Sequence, residues 1–376
     1  MAGIYIHIPF CKQACYYCDF HFSSYLALKE DLVDAMVKEI FLQTKYLSEP
    51  IDTIYFGGGT PSLLNDEELE KIFTALYKTF QISSNPEITL EANPDDLNSS
   101  KLAMLKSIGV NRLSIGIQTF NDALLKFLNR LHSSQQAIKA YHEARLLGFD
   151  NISCDLIYAI PGQSQEILAN DLETLVRLSP DHISAYCLTI EERTVFGNWS
   201  RKNKFKQVDE EIAVSHTETV WQYLTHHLYE QYEISNFCQN EKYSRHNSSY
   251  WKDVSYLGIG PGAHSYNGKM RQYNISNNNL YIKSISKGEN PTTLMDLSVV
   301  DSINEYILTS LRTKWGCNLD HLSDKFNFKL PDQLKRKINK FEKEGLLIAI
   351  TSSIILTEKG KLLADFIASE LFVESI

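Results

Sequence analysis

The sequence predicts an α/β protein: a partial (β/α)6 barrel followed by a small winged-helix-like α+β domain at the C-terminus. Three observations carry this. Six short, β-rich apolar runs alternate with longer amphipathic segments through the first 230 residues, and such alternation demands a parallel sheet covered by helices. Right-handed crossovers that all wind one way curl that sheet into a full or partial barrel. The chemically distinctive residues also follow or end the predicted strands, which is the rim where βα barrels place their chemistry. Finally, the alternation weakens after about residue 230, and a different, helix-rich pattern begins near Val300.

Strands are expected at residues 4–8, 53–56, 87–91, 112–117, 152–157 and 182–188. Between them, apolar residues recur at three- and four-residue spacing. Leu28, Leu32, Val33, Met36, Val37 and Ile40 form one such stripe, and Ala137, Ile138, Tyr141, Ala144 and Leu147 another. That spacing lays one apolar face along a helix. Asn65 and Asp66 are candidate N-caps for a helix over 67–80. Residues 1–230 thus form the barrel. Residues 231–299 form a connecting segment, whose Asn-, Ser-, Gly- and Tyr-rich part over 265–298 is expected to cross the surface. Residues 300–376 form the winged-helix-like unit, with helices near 301–313, 319–326, 331–344 and 359–371 and an apolar hairpin over 346–356.

The chain has 376 residues, enough for two or three domains. Its net charge of −9 argues against broad contact with nucleic acid, which needs Lys and Arg to neutralise phosphates. The C-terminal unit balances eleven basic against eleven acidic residues, unlike a wing that reads DNA. No apolar run approaches the ~20 residues of a membrane span. Residues 1–5 lack the basic start of a secretory signal, so the protein is expected to be cytoplasmic.

Seven cysteines are present, three of them crowded into Cys11-x3-Cys15-x2-Cys18 after the first strand. In a reducing compartment such a cluster indicates a metal site rather than disulfides. Thiolates ligate iron–sulfur clusters, and three of them leave one iron of a cubane open to a further ligand. Zinc is the alternative, with His21 as a fourth ligand. The scattered Cys154, Cys187, Cys238 and Cys317 read as small buried hydrophobes.

The run Ile6-His7-Ile8-Pro9-Phe10-Cys11-x3-Cys15-x-Tyr17-Cys18 resembles the cluster loop of radical S-adenosylmethionine (SAM) proteins. More narrowly, it resembles the branch holding oxygen-independent coproporphyrinogen III oxidase and the HemW-type haem chaperones, and the likeness runs from Tyr5 to the C-terminal unit. The resemblance implies a radical SAM barrel and a [4Fe–4S] cluster on Cys11, Cys15 and Cys18 that reductively cleaves SAM to a 5′-deoxyadenosyl radical. It further implies a SAM site at Gly57-Gly58-Gly59-Thr60-Pro61, Glu91, Gln118, Arg130 and Asp155, with Tyr5 and Tyr17. In the decarboxylase some of these positions contact a second SAM. On the residues alone, Asp155 stands inside an apolar strand and needs a partner, for which a ligand or Arg130 would serve.

Two features separate the branches. The decarboxylase carries a further Cys two residues after its third ligand, where this chain has Phe20. His246-Asn247-Ser248-Ser249-Tyr250-Trp251 matches the His-Asn-x-x-Tyr-Trp signature of the chaperones. A histidine can ligate haem iron, and Tyr250 and Trp251 can stack on a porphyrin. His264 and His21 are rival ligands. The resemblance therefore implies haem as cargo, apo-haemoproteins of the respiratory chain as recipients with transient membrane-protein contact, and a reductant such as flavodoxin or ferredoxin. Porphyrinogen decarboxylation is the alternative function. A radical SAM enzyme for another substrate and a binding module with a vestigial cluster are also open.

Overall fold

The computed structural model describes residues 1–374. Six parallel strands follow the chain in order: β1 (Ala2–Ile8), β2 (Ile51–Gly58), β3 (Ile82–Ala92), β4 (Arg112–Gln118), β5 (Ile152–Tyr158) and β6 (His182–Cys187). Each pairs in parallel with the next, and β6 does not return to β1, so the barrel stays open. Helices such as Lys29–Leu42, Asp66–Thr79 and Gln165–Leu178 cover the convex face. Asn65 is the N-cap of the second of these and forms a capping box with Glu68, while Asp66 is the first helical residue.

One face of every strand is apolar. Ile4, Ile6, Ile54, Phe56, Leu90, Leu113, Ile115, Leu156 and Ile183 are buried in a continuous core beneath the helices. The intervening positions are polar: Tyr5, His7, Thr53, Tyr55, Thr89, Glu91, Arg112, Ser114, Ser153, Asp155, His182 and Ser184. Successive strand side chains point to opposite faces, so these residues line the concave side. A βα barrel that is merely structural fills its interior with branched apolar side chains. This one has a polar lumen instead.

Residues 265–298, expected to form a surface connector, instead extend the main sheet. After β7 (Glu230–Glu233) and β8 (Asn236–Cys238), which pair antiparallel beyond β6, the chain crosses to the other edge. There β9 (Tyr256–Ile259) pairs parallel with β1, and β10 (His264–Tyr266), β11 (Met270–Asn274) and β12 (Thr292–Asp296) follow antiparallel. The sheet thus reaches twelve strands. A buried carboxylate explains why this polar segment is drawn in. Glu39, on helix Lys29–Leu42, accepts hydrogen bonds from Gly260 N (2.8 Å), Asn274 Nδ2 (2.6 Å) and the Tyr281 hydroxyl.

The C-terminal unit holds its own apolar core under a three-stranded sheet of β13 (Cys317–Asn318), β14 (Leu347–Ile350) and β15 (Ser353–Leu356). Helices Val299–Leu311, Leu319–Phe326 and Asp332–Lys343 pack around it. The final helical stretch is broken into Glu358–Lys361 and Ala364–Glu370. Arg312 Nε donates to Glu233 Oε1 at 3.1 Å, tying this unit to β7. Among the described residues, no helix is long and apolar enough to cross a membrane.

Candidate functional site

The loop after β1 carries the three clustered cysteines, and backbone hydrogen bonds pin its neck. Cys11 N donates to Ser23 O (3.1 Å) and Ser23 N to Pro9 O (2.8 Å). Farther out, Gln13 Nε2 donates to Asn129 O (3.1 Å) and Asn129 Nδ2 to Ala14 O (2.6 Å). Lys12 reaches Asp95 at 3.0 Å and also contacts Asp96.

Cys11, Cys15 and Cys18 line a cavity of about 430 Å³ at the C-terminal ends of β2 to β6. The same cavity is lined by Tyr17, Gly58, Gly59, Thr60, Glu91, Gln118, Arg130 and Asp155, so eleven of the expected site residues meet there. A closed relay joins two of the thiols. Thr60 Oγ1 donates to Cys11 Sγ (3.3 Å) and accepts from Asn93 Nδ2 (3.2 Å). Arg130 Nη2 donates to Asn93 Oδ1 (2.6 Å) and Gly116 O (2.8 Å), while its Nη1 donates to Cys15 Sγ (3.4 Å). Arg130 can only donate, so Asn93 must turn its Oδ1 to Arg130 and its Nδ2 to Thr60, which fixes the orientation of the amide.

Two glycines are required by the backbone. Gly58 has φ +103°, a region open to glycine. A Cβ on Gly59 would lie 2.7 Å from Phe10 O, so only glycine lets this loop approach the cysteine loop. Gln118 ends β4 with φ +70°, uncommon for a non-glycine residue and typical of strain held at a functional site.

Two carboxyl groups face this cavity without an ion pair. Glu91 accepts from Tyr55 OH at 2.7 Å, and burial pushes it up to about 7, the Asp155 charge adding to the effect. Asp155 accepts from Ser114 Oγ (3.1 Å) and Ser153 Oγ (3.4 Å), and burial pushes it up to about 6. Arg130, expected as a possible partner of Asp155, is instead committed to Asn93, Gly116 and Cys15. The Arg112 guanidinium, 1% exposed, partly offsets both shifts by its charge.

The donor set fits an iron–sulfur cluster. Cys11, Cys15 and Cys18 bring three sulfur donors from one loop to the same cavity, none of them tied up in a disulfide. Hydrogen bonds from Thr60 and Arg130 already point at two of the sulfurs, the arrangement that tunes such clusters.

A second cavity, of about 730 Å³, lies beside the first on the concave face. Tyr5, His7, Asp19, Phe20, His21, Arg193, Tyr250, Tyr256 and His264 are among its lining residues. Tyr5 therefore belongs here rather than with the cysteines. Its hydroxyl meets His7 Nδ1 at 3.2 Å, and its ring stacks on Tyr55. Phe20 lines both cavities and is 69% exposed.

The His-Asn-x-x-Tyr-Trp residues form helix Arg245–Trp251, packed against β1 and β2, with the His246 ring stacked on Tyr55 at 5.1 Å. Glu87 accepts from Arg245 N (3.1 Å) and His246 N (3.0 Å) at the helix start. His246 is 2% exposed, with Nδ1 against Thr53 Oγ1 (2.8 Å) and Nε2 against Tyr250 OH (2.9 Å). Both ring nitrogens are engaged. Tyr250 reaches the second cavity, but Trp251 does not; it packs edge-on against Tyr232 (5.9 Å). The three motif residues expected to hold haem thus face different surroundings.

Sequence reasoning missed Asn93, Ser114, Tyr55 and Arg112. For Tyr55, Ser114 and Arg112 the signal was the polar period-two pattern inside otherwise apolar strands; Asn93 stands just past the end of β3, two residues after Glu91. Sequence reasoning also missed Cys187, which is exposed and lines the cysteine cavity at the end of β6.

The radical SAM superfamily model matches residues 5–175, and the HemN C-terminal domain model matches residues 297–363. The chain is 35% identical over 371 residues to the heme chaperone HemW of Bacillus subtilis, covering 97% of each chain. It is 33% identical over 373 residues to the heme chaperone HemW of Lactococcus lactis, covering 99% of this chain and 97% of that one. Its fold is similar to that of Escherichia coli coproporphyrinogen III oxidase (HemN), a radical SAM enzyme. The TM-score is 0.86 at 22% identity, over 100% of this chain and 90% of that one.

Proposed function

The chain belongs to the radical SAM superfamily and, within it, to the HemW haem chaperone family, and on that premise we propose that it binds haem and passes it to apo-haemoproteins. The observation that carries this reading is the near full-length relationship to the Bacillus subtilis chaperone. Phe20, in place of the decarboxylase's additional Cys, supports it. The likeness to coproporphyrinogen III oxidase, at 22% identity, speaks to architecture alone.

In this reading Cys11, Cys15 and Cys18 hold a [4Fe–4S] cluster, which with a reductant supplies reductive cleavage of SAM. SAM carries a sulfonium and an ammonium against one carboxylate, so it brings net positive charge. Glu91 and Asp155 offer two buried carboxyls with no salt bridge, and a cation relieves the cost of ionising them there. Gly58, Gly59 and Thr60 bring backbone against the ligand, and Tyr17 and Gln118 close the walls. Arg130 holds the cysteine loop while Asn93 and Gly116 hold Arg130. The reductant is a flavodoxin- or ferredoxin-like protein, and the recipients are respiratory haemoproteins.

The test is to give the anaerobically reconstituted, reduced protein SAM and coproporphyrinogen III, and in parallel to titrate it with haem. The expected outcome is haem uptake without protoporphyrinogen or released CO₂. Sustained decarboxylation would replace this reading with the enzymatic one.

A further inference from the structure

We propose that haem is held in the larger cavity beside the cluster loop, with His264 as the axial ligand of its iron. This rests on the chaperone reading above and goes beyond it by assigning the site.

Three imidazoles, His7, His21 and His264, line this cavity, and His246 stands behind Tyr250; they differ in what their nitrogens are doing. His246 has both nitrogens in hydrogen bonds and is 2% exposed. His7 is 5% exposed, with Nδ1 against Tyr5 OH and Nε2 donating to His21 O at 2.9 Å. His21 Nε2 is held by Asn278 Oδ1 at 2.8 Å. His264 is the exception: among the described residues its ring takes part in no hydrogen bond, and it is exposed at the start of β10. Its plane is supported by Tyr273, stacked at 5.5 Å and 27° across the β10–β11 pair. Partial desolvation of the ring and the Arg271 charge both lower its pKa, favouring the neutral imidazole that iron requires.

The rest of the cavity suits a flat, dianionic macrocycle. Its volume of about 730 Å³ lies within the ~300–1,000 Å³ common for cofactor sites. Tyr5, Tyr250 and Tyr256 give aromatic walls that can lie against a porphyrin. At the rim Arg193 Nη2 donates to Asp19 Oδ2 at 3.1 Å, and this exposed pair can exchange its carboxylate for a haem propionate. Phe20 stands largely in solvent over the same rim, an apolar edge for the ring. An open cavity with one imidazole ligand also suits a cargo that must leave.

The two cavities meet at one loop. Cys18 faces the smaller cavity, Asp19 and His21 face the larger one, and Phe20 between them lines both. A ligand in either cavity therefore bears on the same loop.

The experiment is a Soret titration of the full-length, anaerobically reconstituted protein with ferric haem, comparing wild type, His264→Ala and His246→Ala. His264→Ala is expected to weaken haem binding by about tenfold or more and to lose the imidazole-type Soret and visible bands, with free imidazole restoring them. Iron content and SAM binding stay at the wild-type level, which shows that the variant is folded. His246→Ala keeps the wild-type ligation spectrum. A His264→Ala variant with unchanged spectrum and affinity overturns the assignment. So does a folded His246→Ala variant that alone loses the imidazole bands. A wild-type protein that takes up no haem overturns the chaperone reading itself, and the assignment with it.

Discussion

The two cavities on the concave face share a wall but are built to opposite specifications. In the smaller one nearly every polar group is committed before any ligand arrives. Thr60, Asn93 and Arg130 form a relay between two thiols, and Tyr55, Ser114 and Ser153 hold the two carboxyls. In the larger one the cluster loop presents Phe20 and His21 in place of cysteines, and an uncommitted imidazole stands opposite on β10. Such a contrast is what separates a site for resident cofactors from one for a transient cargo. A preorganised site binds without further ordering cost, whereas a site that must release its ligand keeps fewer fixed contacts.

The largest expected effect breaks the smaller cavity outright. Replacing Cys11, Cys15 or Cys18 by Ala should abolish the visible iron–sulfur absorbance of the reconstituted protein. An unchanged spectrum would mean other ligands. Next comes Glu91→Gln, which removes a buried carboxylate but keeps its size. A hydrogen bond to a charged group contributes about 1.5–3 kcal/mol, so SAM affinity by calorimetry should fall roughly 10- to 150-fold with the cluster intact. The same carboxyls set a pH dependence. Their pKa values are raised to about 7 and about 6, so they are protonated below those values and cannot pair with a cation. SAM binding should therefore strengthen from about pH 6 to about pH 8, and a flat profile would remove both carboxyls from the site.

A smaller effect is expected from Asn93→Ala, which leaves Thr60 and Arg130 without their shared partner. An unsatisfied buried group costs about 1–3 kcal/mol, to be read as a lower melting temperature of the cluster-loaded protein. Smallest in stability is Phe20→Ala, an exposed position whose loss should stay within about 0.5 kcal/mol. Its effect should show instead in a faster release of haem, and equal release rates would separate Phe20 from the cargo.

Much of this architecture was legible in the sequence, and the reasons differ by region. The six barrel strands stood out because their outward faces, such as Ile4-x-Ile6-x-Ile8, bury a continuous apolar core. The cysteine loop, Glu91 and Arg130 stood out by motif and place at strand ends. What did not show was the edge of the sheet beyond β1. Strands such as His264–Tyr266 and Met270–Asn274 are short and polar, and the chain around them is anchored where Gly260 and Asn274 meet Glu39, more than 200 residues away. His246 misled for a related reason. A local motif carries no information on burial, and only the fold reveals Thr53 and Tyr250 against its two nitrogens.

Haem transfer to a recipient is the most direct test. Haem-loaded, cluster-containing protein would be mixed with an apo-haemoprotein, and the Soret bands of donor and recipient followed together. The account predicts loss of the donor spectrum with matching growth of the recipient's, faster than haem dissociates from the donor alone. Haem that stays on the donor, or reaches the recipient only at the spontaneous dissociation rate, would contradict it.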